Sequence, residues 1–117
     1  MPRLITVVET SVFSRRAAKL LTKEEHKEVI DYLAANPLEG DEIQSTGGVR
    51  KVRFAARGKG KSGGVRVIYY YLDDVMPLFA LLIYGKDEQD DLSPEQTRQV
   101  GALAATIKAS KRRRKAR

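Results

Sequence analysis

Residues Arg50 to Leu72 read RKVRFAARGKGKSGGVRVIYYYL, and this stretch decides the fold. Two runs of β-branched and aromatic residues flank a Gly- and Lys-rich interior, the pattern of adjacent antiparallel strands joined by a loop. The predicted strands are Val49 to Ala55 and Val65 to Leu72, and working outward Leu78 to Tyr84 adds another. Asp73-Asp74 and Met76-Pro77 supply the turn before it, so a β-meander is expected.

The same stretch carries Arg50, Lys51, Arg53, Arg57, Lys59, Lys61 and Arg66 with no acid among them. Strand alternation puts Lys51 and Arg53 on one face, with Val52 and Phe54 pointing to the core. On the next strand neither alternating set is purely polar; if the apolar set Val65, Val67, Tyr69 and Tyr71 is core, Arg66 lies beside Lys51 and Arg53. A charge run is ordinarily a solvated surface. Convergence on paired strands favours a phosphate-binding face instead, which attracts polyanions by Coulomb steering and counterion release.

Upstream, Leu4 to Val8 (LITVV) reads as a strand and Val12 to Leu21 as a helix. Thr22 followed by Glu25 is a capping-box signature for a second helix through Val29, Ile30 and Leu33, which Asn36-Pro37 stops. Leu38 to Gly48 reads as loop. Downstream, Ser93-Pro94 opens a final helix through Val100, Leu103, Ala104 and Ile107. The order β-α-α-β-β-β-α predicts an α+β fold, an antiparallel sheet with helices packed on one face. One domain over residues 1–108 and a basic, disordered tail over 109–117 are expected.

The formal charge of +7 comes from 22 Lys and Arg against 15 Asp and Glu. Lys108, Lys111, Arg112, Arg113, Arg114, Lys115 and Arg117 account for that excess, so the remainder is balanced. Absence of cysteine excludes thiol catalysis, disulfides and thiolate metal sites. No segment approaches the roughly 20 apolar residues of a membrane span, so a soluble cytoplasmic protein without membrane association is expected.

Other motifs yield to plainer readings. Ala55 to Ser62 (AARGKGKS) is one residue from the nucleotide-binding G-x-x-x-x-G-K-[ST] loop, but Ala55 replaces the first glycine and the segment leads into a strand rather than a helix. Its cations suit a nucleic-acid backbone or plain solvent. His26, the only histidine, reads as an exposed helix residue, and Asp87, Glu88, Asp90 and Asp91 as a solvated acidic loop rather than a metal site. No cofactor or metal is expected. Tyr69, Tyr70, Tyr71 and Tyr84 are strand residues first, with base stacking as the less common role.

Such cations can still cleave RNA, because the ribose 2′-OH attacks the adjacent phosphate once its proton is removed and the phosphorane is neutralised. A lysine crowded by other cations has its charged form disfavoured, which makes Lys51 a candidate base.

In NPLEGDEIQSTGGVRKVRFAARGKGKSGGVRVIYYYL (Asn36 to Leu72) and LLIYGKDEQDDLS (Leu81 to Ser93) the chain resembles the RelE/HigB family of type II toxins, most closely the HigB-type branch with a G-K-G-K loop. The resemblance implies a RelE-like fold and a ribosome-dependent, metal-independent mRNA endoribonuclease leaving a 2′,3′-cyclic phosphate. It also implies a HigA-like helix-turn-helix antitoxin as partner, through which alone operator DNA would be reached. Carried over by position, Lys51 and Arg53 match the family's paired basic strand residues, as base and transition-state stabiliser. Arg66 matches the arginine at the scissile phosphate, and Lys86 falls in the GK pair that serves the leaving group. Asp87 stands where some members have a basic residue, and Tyr84 stands in for a tyrosine absent from the C-terminal segment, so the general acid and base stay open. RNA and ribosome contacts are expected from Arg50, Arg57, Lys59, Lys61, Lys111, Arg112, Arg113, Arg114 and Lys115. Two alternatives are a ParE-like inhibitor of DNA gyrase, a branch that lacks these catalytic cations, and a non-catalytic RNA-binding module.

Overall fold

In chain order the elements are β1 (Val7–Glu9), α1 (Ser11–Leu20), α2 (Lys23–Ala35), β2 (Asp41–Glu42), β3 (Val49–Phe54), β4 (Val65–Tyr70), β5 (Leu78–Gly85) and α3 (Pro94–Lys115). The computed structural model of the chain describes residues 5–56 and 64–115, with side chains to Lys111. The strands form one sheet in the order β1-β5-β4-β3-β2. The expected meander is present: β3, β4 and β5 pair antiparallel.

Two features of the strand pairing differ from the sequence expectation. β1 runs parallel to β5, Val7 opposite Leu78 and Glu9 opposite Ala80, so the sheet is mixed. The apolar run LITVV announces a strand without encoding its direction; the helical hairpin that follows allows it to lie beside the last strand of the meander. The short β2, which pairs antiparallel with β3, arises inside the stretch read as loop.

The α+β class holds, but the helices occupy both faces of the sheet. Phe13 and Ala17 of α1, with Leu21 just beyond it and Val29 and Leu33 of α2, pack with Val65, Val67 and Tyr69 of β4 and Leu78, Ala80 and Ile83 of β5. Val100 and Ala104 of α3 pack on the reverse with Val49, Ile68, Tyr70, Leu81 and Tyr84. The alternation of β4 dictates this, since Ile68 and Tyr70 are as apolar as Val67 and Tyr69 and both sets need covering.

Local chemistry fixes the joints. Thr10 caps α1 by accepting from the Phe13 N–H at 3.0 Å and donates its own hydroxyl to the Leu81 carbonyl at 2.9 Å, so one side chain starts the helix and ties it to β5. The capping box of Thr22 and Glu25 opens α2 as expected. His26 is half-buried rather than exposed, its Nε2 lying 2.9 Å from Oε1 of Glu9, which joins α2 to β1. Ser93 accepts from the Gln96 N–H at 3.1 Å and starts α3, whose backbone continues past the apolar pattern ending at Ile107 as far as Lys115.

Tyr69 fixes the segment between α2 and β2. Its hydroxyl donates to the Pro37 carbonyl at 2.9 Å and accepts from the Gly40 N–H at 2.8 Å. A Cβ on Gly40 would lie 2.8 Å from the Lys51 carbonyl oxygen and 2.9 Å from the Tyr69 hydroxyl, so glycine alone permits this approach. Arg50 completes the joint: its Nη1 donates to the carbonyls of Gly40 at 2.6 Å and Leu38 at 3.3 Å. At the far side, Asp73 accepts from the N–H groups of Val75 and Met76, both at 3.0 Å, and pairs with Lys111 of α3.

Tyr69→Phe leaves the buried Gly40 N–H without its acceptor and should cost about 1–3 kcal/mol in urea unfolding; an unchanged midpoint would contradict this role. The Lys111 ammonium, and after it the Met76 and Val75 amides, hold the Asp73 carboxyl below its ordinary 3.8. A lowered folded value means that this stabilisation is complete above the unfolded value and is lost as pH falls through the folded one. Asp73→Asn should therefore be less stable than wild type at neutral pH, with the gap closing in acid; a pH-independent gap would refute the ion pair's contribution.

Candidate active site

α3 covers only part of its face of the sheet. Beyond the apolar patch of Val49, Ile68 and Tyr70, β3 and β4 continue with Lys51, Arg53 and Arg66, and there the surface opens into a cleft of about 510 Å³. Alternation and register build it: Lys51 and Arg53 share a face, and Arg53 stands directly opposite Arg66. Arg66 is itself opposite Tyr84 of β5, so Arg53, Arg66 and Tyr84 form one row across three strands.

That row is energetically unfavourable as it stands. Like charges directly opposite on paired strands repel. Arg66 is only 6% exposed, and its Nη1 has no hydrogen-bond partner among the described residues. The Tyr84 hydroxyl is also buried and unpartnered. A buried donor left unpaired costs on the order of 1–3 kcal/mol, more when charged. The unpaired donor of Arg66, which lines the open cleft, presents a place for an anion, and the buried Tyr84 hydroxyl lies behind it on the adjacent strand.

Carboxylates stand around these cations. Asp90 and Asp91 reach the cleft from the loop before α3, and Glu39 and Asp41 from the segment around β2. Asp91 Oδ1 lies 3.6 Å from Lys51 Nζ. Burial raises the Tyr84 phenol above its ordinary range; Asp91, and less strongly Asp90, push the same way, and Arg66 opposes them. Tyr84 is thus a neutral donor. The four lining carboxylates offset the cations Lys51, Arg53 and Arg66, so the acid-free run of the sequence is not an acid-free surface in the fold.

The predicted site residues divide accordingly. Lys51, Arg53 and Arg66 come together, with Tyr84 beside them. Lys51 thus stands among the cations expected around it and also faces the Asp91 carboxylate. Lys86 does not line the cleft; its backbone N–H donates to the Gly64 carbonyl at 3.1 Å, at the end of the β4–β5 pair. Arg50 belongs to the opposite face of β3, where the carbonyls of Leu38 and Gly40 and the Glu42 carboxylate at 3.4 Å occupy its guanidinium. Lys111 is engaged by Asp73. Arg57, Lys59 and Lys61 lie outside the described residues, as do the side chains of Arg112, Arg113, Arg114 and Lys115. Among the described residues no group of three or more His, Asp or Glu is placed to hold a metal ion.

The sequence pattern missed the acidic walls. Asp90 and Asp91 sit in a stretch whose local composition signals only solvation, and Glu39 and Asp41 in an unstructured-looking segment; neither carries a periodicity that aims it at β3.

Fold and cleft define a small α+β domain whose cleft presents a buried arginine, a second arginine and a lysine beside four carboxylates. Residues 5–116 match the family described as the RelE toxin of the RelE / RelB toxin-antitoxin system, and the chain belongs to that family. Among solved structures, the fold is similar to that of the E. coli toxin RelE, a double arginine-to-alanine mutant in the free state, with a TM-score of 0.56 and 14% identity over 75% of this chain and 90% of that one.

If Arg66 is retained for an anion and not for folding, Arg66→Met should be as stable as wild type or up to about 2 kcal/mol more stable, since an apolar group replaces an unpaired buried charge. The urea midpoint reads this directly. A clear loss of stability would make Arg66 a structural residue.

Proposed function

We propose that this chain is a type II toxin that cleaves translated mRNA on the ribosome, without a metal ion, by attack of a ribose 2′-OH on the adjacent phosphate. The observation that carries this reading is the unpartnered Nη1 of buried Arg66, opposite Arg53 and beside the unpartnered Tyr84 hydroxyl. A phosphate in the cleft would give Arg66 Nη1 an acceptor. The charge gained in the phosphorane would strengthen that bond in the transition state, where preorganised donors contribute most. The 2′-O–P bond forms as the P–O5′ bond breaks, leaving a 2′,3′-cyclic phosphate and a 5′-hydroxyl. DNA, lacking the 2′-OH, would not react.

The proposal extends to the setting. Family membership brings a cognate antitoxin; we take it to be a HigA-like helix-turn-helix protein that also carries the contact with operator DNA, and the branch to be HigB-like. Ribosome and mRNA place the activity in the cytoplasm, and among the described residues no helix is long and apolar enough to cross a membrane. Because carboxylates offset the cleft's cations, attraction to ribosomal RNA falls to the loop with Arg57, Lys59 and Lys61 and to the basic C-terminal stretch. The presence of Lys51, Arg53 and Arg66 favours RNA cleavage over gyrase inhibition.

Mapping of 5′ ends in a reporter mRNA, in a purified translation system, tests the reading. Cuts should fall within translated codons, require ribosomes, drop about 10²–10³-fold in Arg66→Ala and vanish in Lys51→Ala/Arg66→Ala. Gyrase-linked DNA breaks without mRNA cuts, or RNA retention without cleavage, would contradict it.

A further inference from the structure

Cleavage through the 2′-OH needs a proton acceptor, and the cleft restricts the choice. Arginine side chains accept no proton, and Tyr84 is a neutral phenol, too weak a base to take one from a 2′-OH. His26, the only histidine, is paired with Glu9 on α2 and does not line the cleft. Lys51 stands in an ion pair, and an ammonium so paired has no free lone pair. The lining carboxylates remain. Glu39 accepts the Tyr32 hydroxyl at 2.8 Å. Asp41 lies on β2 as the register partner of Lys51, on the side of β3 away from Arg66. Asp90 lines the same wall as Asp91 but makes no ion pair with the cleft's cations among the described residues.

Asp91 is differently placed. Its Oδ1 accepts the Leu92 N–H at 2.8 Å and faces Lys51 Nζ at 3.6 Å, which orients the carboxylate toward the cations of the cleft. Among the described residues its Oδ2 has no partner. We propose that the Asp91 carboxylate takes the proton from the attacking 2′-OH, and that Lys51 positions that carboxylate rather than acting as the base itself.

This rests on the mRNA-cleavage reading and completes its proton balance. The 2′-OH proton passes to Asp91 Oδ2 as the 2′-O–P bond forms. Arg66 Nη1 holds the phosphorane oxygen, and the departing O5′ takes a proton from water of the open cleft. Exchange with water then returns Asp91 to the carboxylate. The charged and titratable groups around Asp91 are Lys51 and Arg53 of β3, Arg66 of β4, Tyr84 of β5, Asp90 of its own loop, and Glu39 and Asp41 across the cleft.

The test compares cleavage rates of wild type, Asp91→Asn and Lys51→Arg on ribosome-bound mRNA. Asp91→Asn keeps the acceptor for the Leu92 N–H and leaves the sheet untouched, so folding is retained and is checked by circular dichroism. It should lose about 10²–10⁴-fold in rate. Lys51→Arg keeps the cation but cannot serve as a base, and should stay within about tenfold of wild type. Asp91→Asn cleaving at the wild-type rate or faster, or Lys51→Arg falling as far as Asp91→Asn, overturns the assignment while the cleavage reading stands. An inactive wild type overturns both.

Discussion

A guanidinium buried in the middle strand of the sheet, with one nitrogen left unpaired, is the constraint around which this structure is arranged. Arg66 lies between Arg53 and Tyr84, on a strand whose other residues are all apolar and buried. Burial of an unpartnered charged donor is costly. The costs are borne by the two cores: α1 and α2 on one face, and α3 with Val49, Ile68 and Tyr70 on the other. α3 stops short of covering Arg66, and the gap it leaves is the cleft.

That division explains what was legible in the sequence. The meander, the helix caps and the pairing of Lys51, Arg53 and Arg66 on one face follow from alternation and capping chemistry, which are local. Arg66 could be placed because taking Val65, Val67 and Tyr69 as core leaves it only one direction. The direction of β1 and the placement of α3 opposite α1 and α2 could not be read, because both depend on which surfaces meet after the chain has folded back. Arg50 shows the limit most sharply. It belongs to the same basic run as Lys51, yet the strand turns it to the opposite face, where backbone carbonyls of the Leu38–Gly40 segment take its donors.

The acids alter the electrostatic picture more than any cation does. A run of positive charge in sequence suggests a surface that draws in polyanions; in the fold, Glu39, Asp41, Asp90 and Asp91 surround the same residues. Such a cleft is poor at collecting nucleic acid from solution and suited to holding one phosphate delivered to it. Collection and chemistry then separate. On the proposed reading, long-range attraction falls to the basic segment of Arg57, Lys59 and Lys61 and to the basic C-terminal stretch, where screening by salt is strong, and the cleft contributes donors whose effect is felt when charge develops on the phosphate.

The central claim is that a phosphate on Arg66 is attacked by its own neighbouring 2′-OH. It is tested most directly by single-turnover cleavage on ribosomes programmed with mRNA carrying one 2′-deoxy nucleotide at the mapped cut, with the new 3′ ends examined by mass spectrometry. The account predicts that the all-ribose message is cut to a 2′,3′-cyclic phosphate and that the 2′-deoxy message stays intact at that position. Equal cutting of both messages, with a linear phosphate end, would mean that water or another nucleophile does the work and would contradict it.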